Sequence, residues 1–354
     1  HMRSHAGEFR YGDIAALADS LLEDLHAQPD VGQAQIAGSF RRKKEIVRDL
    51  DFLVSTKKPE AVMEFFTTHP LVENILAHGA TKSSVILKSG IQCDLRAVTS
   101  AEFPFALNYF TGSKEHNIVM RQRAIARGLR LNEYGLFKSK EETRDPKLLV
   151  PCKTEEEIFQ TLDLPYIPPE LREDHGELER RPPDGLVTVA AIKAELHCHT
   201  TASDGLCSIE QMIGEAKRRG FDCIAITDHS RSSAQANGLS VERLLEHAQA
   251  VRAAGKRVGG IHALAGSEVD ILADGRLDYP DDILRQLDWV VASPHTALKQ
   301  EPAAATARLL AAIANPLVHV IGHPSGRMLG GRPGLEPDWA ADRKSTRLNS
   351  SHRT

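Results

Sequence analysis

Five short apolar runs in the C-terminal half of the chain, at 192–196, 223–227, 262–265, 289–292 and 318–321, recur with helix-like stretches between them. This rhythm constrains the fold more than any other feature. Apolar strands alternating with helices argue for an α/β, barrel-like domain whose functional residues sit at the strand C-terminal ends. Histidines and acids follow the runs. His197-Cys198-His199 ends the first, with Ser203-Asp204-Gly205 just beyond, and Asp228-His229 ends the second. Glu268 lies in AGSEVDI, His295 in ASPHT and His323 in IGHPSGR. Imidazoles and carboxylates converging on one rim suit Mn²⁺ or Zn²⁺, ions that lower the pKa of a bound water. A single histidine is more often an ordinary core or surface residue. Five at successive strand ends favour a metal site.

At 354 residues the chain exceeds one compact core and fits two or three domains. Its 41% hydrophobic content excludes a disordered protein. No apolar run approaches the ~20 residues that span a bilayer, and there is no basic-then-apolar leader. The five cysteines (93, 152, 198, 207 and 223) are odd in number and form no CxxC. Reduced thiols in a cytoplasmic protein are therefore expected. A net charge of −4 argues against a uniformly basic nucleic-acid binder. Basic residues nonetheless cluster locally: Arg41, Arg42, Lys43 and Lys44, then Arg121, Arg123, Arg127 and Arg130. Such clusters fit either DNA contacts or solvated faces.

The N-terminal half mixes patterns. Residues 13–28 read as an amphipathic helix, and 31–38, 48–55, 85–88 and 91–98 as strands. From 99 the chain turns mainly helical, with a basic helix near 114–127. The Pro- and charge-rich stretch 165–191 reads as a linker. The expected domains are 1–98, 99–164 and 192–341. Residues 342–354 begin DRKSTRLNSSH, which resembles a translated sequencing adapter, and they are excluded from fold reasoning. The natural chain is accordingly expected to continue past 341.

Asp49 and Asp51 lie two apart on a strand, so both carboxylates point to one face. Asp94, in IQCDLRAV, sits on another strand that could lie alongside. Three carboxylates on one face repel each other and call for cations, and hard oxygen donors suit Mg²⁺. Two such ions clamp an in-line displacement at phosphorus. Upstream, Gly38-Ser39 turns from a strand into a probable helix start, where free N–H groups favour phosphate, and Arg41 and Arg42 follow. A lone DxD is more often a surface strand with two solvated acids. The third aspartate and the upstream Gly-Ser change that balance.

These residues, with Tyr109-Phe110-Thr111-Gly112-Ser113, Asn117, Arg121 and Asn132-Glu133-Tyr134, resemble the palm and thumb of family X DNA polymerases over residues 12–165. The resemblance implies Asp49, Asp51 and Asp94 as the catalytic, metal-binding triad, with Mg²⁺ or Mn²⁺. It implies Gly38, Ser39, Arg42 and Gly112 at the incoming triphosphate, Tyr109 and Phe110 at its sugar, Asn117 at its base edge, and Arg121 near the template strand. Ordinary thumb core also fits Phe110. The position before the first aspartate, often Gly in that family, is Arg48 here. The implied partners are primer-template or gapped DNA and dNTPs, with no membrane, and a monomer is expected. Residues 192–326 resemble the PHP domain. That likeness implies His197, His199, Asp204, His229, Glu268, His295 and His323 as ligands of a polynuclear Mn²⁺ or Zn²⁺ site. A late Asp-x-His and the N-terminal end-binding and fingers regions are not in this sequence. The chain is therefore expected to be truncated at both ends, with its 3′-to-5′ exonuclease or phosphoesterase inactivated. The expected fold is a nucleotidyltransferase-type palm sheet, a helical thumb and an incomplete PHP (β/α) barrel. A stand-alone PHP phosphatase and a non-catalytic DNA-binding fragment remain alternative readings.

Overall fold

The computed structural model describes residues 7–179 and 186–341, so the adapter-like segment 342–354 lies outside the described residues. The chain divides into two compact units at 185/186.

In the first unit, helix Tyr11–His26 buries Ile14, Ala18, Leu21 and Leu25, a spacing that puts one stripe on the core. It packs on a five-stranded sheet whose spatial order is Val31–Ile36, Asp49–Thr56, Gln92–Val98, Lys82–Leu87, Val72–His78. Neighbours are antiparallel except the pair Asp49–Thr56 and Gln92–Val98, which run parallel. Alternation along these strands sends Leu50, Phe52 and Val54, with Cys93, Leu95 and Ala97, into one core. The odd-numbered aspartates face the other way. Strand Val72–His78, which sequence patterning does not suggest, is an edge strand with exposed side chains beyond its first residue and so lacks an apolar alternation.

The thumb begins with helices Phe103–Thr111 and Lys114–Ala126 and continues through a small sheet, Arg130–Asn132, Gly135–Phe137 and Leu149–Val150, to helix Glu155–Thr161. Asn132 accepts hydrogen bonds from the backbone N–H of Tyr134 (3.0 Å) and Gly135 (3.1 Å), which closes the hairpin.

The stretch expected as a linker from 165 behaves differently up to 178. Ile167 and Leu178 join the thumb core, and fully buried Arg172 pairs with Glu155 at 2.7 Å. His116 meets Glu177 at 2.8 Å, and Ser113 donates its N–H to the Arg172 carbonyl at 2.9 Å. The charges that suggest a solvated linker are internal ion pairs. Tertiary partners, invisible in a local window, account for the difference.

The second unit is a parallel sheet with its five strands in chain order: Ala194–Cys198, Cys223–Ile226, His262–Asp270, Trp289–Ser293 and Val320–Ile321. Helices Ile209–Arg218, Val241–Val258 and Pro302–Ala314 connect them. The first of these opens on a reciprocal Ser208/Gln211 capping box. The third strand runs on to Asp270, beyond the apolar run 262–265. Its polar residues Ser267, Glu268 and Asp270 are buried because they serve the site rather than the apolar core.

Candidate metal centres

In the first unit the parallel ladder sets Asp51 opposite Asp94 and Asp49 opposite Gln92. With period 2, all three carboxylates rise from the face turned away from the core. Gly38, φ +62°, starts the short helix Gly38–Arg41, and a Cβ built there would lie 2.3 Å from Asp51 Oδ2. Only glycine combines that φ with that approach. Burial, then the charges of Asp49 and Asp94, push the Asp51 carboxyl up to about 6, against Lys82 and Arg96. Burial also acts upward on Asp94, but hydrogen bonds from Gln92, Lys82 and Ser84 hold it below the usual carboxylate range. Gln92 Nε2 donates to Asp94 Oδ1 at 2.9 Å, and Lys82 Nζ lies 2.9 Å from Oδ2. Three oxygen donors on one face, one of them destabilised as an anion, fit a divalent cation. They are not drawn to a single point. Among the described residues, groups of three or more ligating side chains within 4.8 Å of one another occur only around Glu268.

The other residues expected at the first centre are placed as follows. Asp51, Asp94, Lys82, Arg96 and Phe110 line a small cavity of about 80 Å³. Arg96 lies 4.4 Å over the Phe110 ring, and Tyr109 meets Phe110 edge-on at 5.1 Å. Ser39 is half-buried on the short helix. Arg42 donates to Glu173 (2.8 Å) and to the Thr111 carbonyl (2.6 Å) beside Gly112, so its guanidinium is engaged within the protein. Arg41 is likewise bound to Glu155 (2.5 Å) and Thr111, which ties it to the thumb rather than to a phosphate. Asn117 Nδ2 donates to the Tyr109 carbonyl at 2.7 Å. In the second basic cluster, Arg123 caps the carbonyls of Leu162 and Asp163, and Arg127 pairs with Asp163 at 3.0 Å. Arg130 donates to the Lys140 carbonyl, and Arg121 is exposed with Nε 3.3 Å from the Asn117 carbonyl. Lys82 and Arg96 were missed from sequence, although each is a basic residue on a strand neighbouring the aspartates.

In the second unit all seven expected ligands line one cavity of about 720 Å³. Glu268, 1% exposed, stands at the centre. His197 Nε2 (3.2 Å), His295 Nε2 (3.4 Å) and His323 Nε2 (2.7 Å) surround its Oε1. His199 Nε2 (3.2 Å) and His229 Nδ1 (3.0 Å) approach Oε2. Two ligand groups result, His197/Glu268/His323 and His199/His229/Glu268, with Glu268 shared. Asp204 lies beside the second group, 2.8 Å from His199 Nδ1 and 3.5 Å from His229 Nε2. His199 Nε2, His229 Nδ1 and Glu268 Oε2 are buried without a well-formed hydrogen bond, an arrangement that a cation would complete. Burial holds the His229 imidazole below its usual range, which keeps a lone pair free to ligate.

Support comes from residues that sequence reasoning passed over. Asp270 accepts from His295 Nδ1, Ser232 and Ser233, which fixes the His295 ring. Asp228 is fully buried. It accepts from the Thr200 N–H and hydroxyl (both 2.9 Å) and the Ser203 hydroxyl (2.6 Å), and it meets His247 at 2.9 Å. That network anchors the loop carrying Asp204. The only sequence signal for Asp228 was its place beside His229. Gly205 is required by contact, since a Cβ there would meet the His199 carbonyl at 2.5 Å.

The two units thus present a mixed sheet with three aspartates on one face and a parallel sheet with a His/Glu cluster at one rim. Residues 106–173 match the family description "DNA polymerase beta thumb", and residues 195–342 match "PHP domain". The chain is 39% identical over 333 residues to "DNA polymerase/3′-5′ exonuclease PolX" of Bacillus subtilis (strain 168), covering 93% of this chain and 58% of that protein. The chain thus carries a segment similar to the polymerase beta thumb and a PHP domain. It spans a little over half the length of that curated relative. A "probable phosphatase" of Caldicellulosiruptor bescii is 34% identical over 138 residues, 38% of this chain and 55% of that one. A solved structure of Leishmania infantum polymerase beta in a ternary gap complex aligns with 24% identity and a TM-score of 0.41, covering 47% of this chain and 71% of that chain. Among the described residues no helix is long and apolar enough to cross a membrane, and all five cysteines are free.

Proposed function

We propose that the chain is a DNA-directed DNA polymerase of the repair, gap-filling type, working by two-metal nucleotidyl transfer. Its second centre is proposed to hydrolyse phosphoesters at DNA 3′ ends. The observation that carries the polymerase reading is the register of Asp51 against Asp94, with Asp49 on the same face and Gly38 packed against Asp51. Mg²⁺ or Mn²⁺ at Asp49, Asp51 and Asp94 would supply activation of a primer 3′-hydroxyl and neutralisation of the departing pyrophosphate. The protein's own part is positioning. Lys82 and Gln92 orient Asp94, while Gly38 allows the backbone to approach Asp51 and a triphosphate together. Tyr109 and Phe110 form a wall against which a deoxyribose packs, and Arg42, released from Glu173, can turn to phosphate. Primer-template or gapped DNA and dNTPs are the proposed partners, acting with a monomer in a reducing, cytoplasmic compartment.

At the second centre, His197, His199, Asp204, His229, Glu268, His295 and His323 would hold Mn²⁺ or Zn²⁺, which supplies an activated water for attack at phosphorus. His199 and Asp204, hydrogen-bonded to each other, orient that side of the site, and Asp270 fixes His295. Primer extension with Mg²⁺ or Mn²⁺ tests the first centre, and the expected result is template-dependent incorporation. Mn²⁺-dependent 3′-to-5′ digestion that is lost in His199→Ala is the expected result at the second centre, and a folded, metal-loaded chain that digests nothing overturns its role at DNA ends.

The second reading is a phosphatase acting on small phosphomonoesters. The compact His/Glu cluster favours it, because it is the more fully assembled of the two centres. Turnover of p-nitrophenyl phosphate without any primer extension is the outcome that selects this reading. DNA binding with neither activity would leave a non-catalytic fragment.

A further inference from the structure

The two arginines that follow Gly38-Ser39 are held by two glutamates, and the two pairs are built differently. Glu155, its side chain 5% exposed, is shared by Arg41 (2.5 Å) and fully buried Arg172 (2.7 Å). Burial acts upward on its carboxyl, but Arg172 and Arg41 hold it below the usual carboxylate range. That pair is a fixed joint. Glu173 instead accepts a single N–H from Arg42, Nε at 2.8 Å, and Lys44 Nζ stands 3.5 Å from the same oxygen. Its side chain is 19% exposed and lies outside any helix or strand. The backbone on either side is anchored. Arg172 accepts the Ser113 N–H at 2.9 Å, and Glu177 accepts the N–H groups of Asp174 (2.9 Å) and His175 (2.7 Å). On its other edge, Arg42 Nη1 donates to the Thr111 carbonyl at 2.6 Å. A Cβ at the next residue, Gly112 (φ +72°), would lie 3.0 Å from that nitrogen.

A guanidinium grips a phosphate with paired N–H groups on one of two edges, Nε with Nη2 or Nη1 with Nη2. Arg42 has a donor committed on each, to Glu173 on one and to the Thr111 carbonyl on the other. The carbonyl is backbone and leaves only if the turn moves. The Glu173 side chain needs only to rotate. We propose that Glu173 is a positioning residue that acts through Arg42, an internal anion that stands in for the nucleotide's phosphates until an incoming triphosphate displaces it. While it is in place, Glu173 offsets the charge of both Arg42 and Lys44, and its own charge repels phosphate. Nucleotide affinity is thereby held below what these two cations can give. The Arg41–Glu155 joint stays shut, so the short helix Gly38–Arg41 keeps its place while Arg42 turns. This inference rests on the polymerase reading of the first centre.

The test measures, with Mg²⁺, the binding of a dATP analogue that carries an imido bridge between its α and β phosphates, together with single-nucleotide primer extension. Glu173→Gln is expected to bind the analogue about fivefold more tightly than the unmodified chain and to lower the dNTP KM by a similar factor. Its kcat is expected to stay within about twofold, because Glu173 leaves before the chemical step. A gain in affinity does not arise from partial misfolding, which weakens binding. In an Arg42→Gln background the same substitution is expected to gain little, since the guanidinium that Glu173 occupies is gone. That background also subtracts any analogue bound at the PHP centre. Unchanged or weaker binding in Glu173→Gln, or an equal gain without Arg42, overturns the proposal. Primer extension with a dNTP KM unmoved by Glu173→Gln overturns it too and leaves the polymerase reading standing. Tighter binding that requires Arg42, with no primer extension by any variant, upholds the role of Glu173 and overturns the polymerase reading instead.

Discussion

At the palm, three carboxylates share a sheet face with Lys82 and Arg96 among them, whereas in the PHP unit Glu268 stands at the centre of five imidazoles, with Asp204 and Asp270 on their outer side. The contrast follows from charge. Carboxylates at neutral pH repel, so without a cation they spread, lean on nearby lysine and arginine, or take up protons. Imidazoles lack that mutual repulsion when deprotonated, so a histidine-rich set packs around Glu268 more closely than three acids pack around one another.

The largest effect is expected where a single group is indispensable to the less organised centre. Asp51→Ala should reduce primer extension by at least about 10³-fold, because it removes the anion opposite Asp94 from a charge-stabilised transition state. Near-wild-type extension by a folded variant would remove the triad from the mechanism. At the PHP centre the corresponding group is Glu268. Glu268→Gln keeps the volume but removes the charge that five histidines share, and Mn²⁺ affinity is expected to fall about 10²-fold or more. Bound metal measured after dialysis checks this, and full retention would show that the imidazoles alone organise the site. One step further out, Asp270→Asn weakens the acceptor at His295 Nδ1 and should cost about 10-fold in metal affinity. An unchanged titration would make Asp270 purely structural.

How far these centres were legible in the sequence tracks the same contrast. That the seven candidate ligands share one cavity could be read because each lies at or near the end of an apolar run, and a parallel sheet carries all such ends to one rim. Asp49 and Asp51 could be read from the two-residue period of a strand. Local pattern does not contain the pairing of strands distant in sequence. The Asp51–Asp94 register and the Lys82–Asp94 ion pair were therefore open until the sheet order was known. Arg41 and Arg42 show the same limit of local pattern. A basic run next to a Gly-Ser turn suggests phosphate contacts, yet both guanidiniums are bound to glutamates 114 and 131 residues away in sequence. The buried Asp228–His247 pair and the Arg172–Glu155 pair were missed for the same reason, since an ion pair inside a core has no local signature.

A stability measurement is the most direct test of the comparison, because it reads the palm's repulsion in the absence of substrate. The carboxyl of Asp51 rises from 3.8 to about 6 on folding, a shift shared among three coupled acids. A raised folded-state value means that the folded protein binds more protons than the unfolded chain between these two pH values. Stability therefore falls as pH rises from about 4 to about 6, and the penalty is fully present above that. Its size is on the order of 3 kcal/mol by the pKa difference, or roughly 10 °C in melting temperature for a unit of this size. Divalent cations bound at the three carboxylates relieve the penalty, and they do so only where Asp51 would otherwise be ionised. Mg²⁺ should therefore raise the melting temperature of the first unit more at pH 7.5 than at pH 5. Asp51→Asn should melt higher than the unmodified chain at pH 7.5 without Mg²⁺ and gain less from it, and subtracting its response removes any contribution from the PHP centre. Equal Mg²⁺ stabilisation at both pH values, or no difference between Asp51 and Asn, would mean that repulsion among the palm carboxylates does not govern the stability of the first unit.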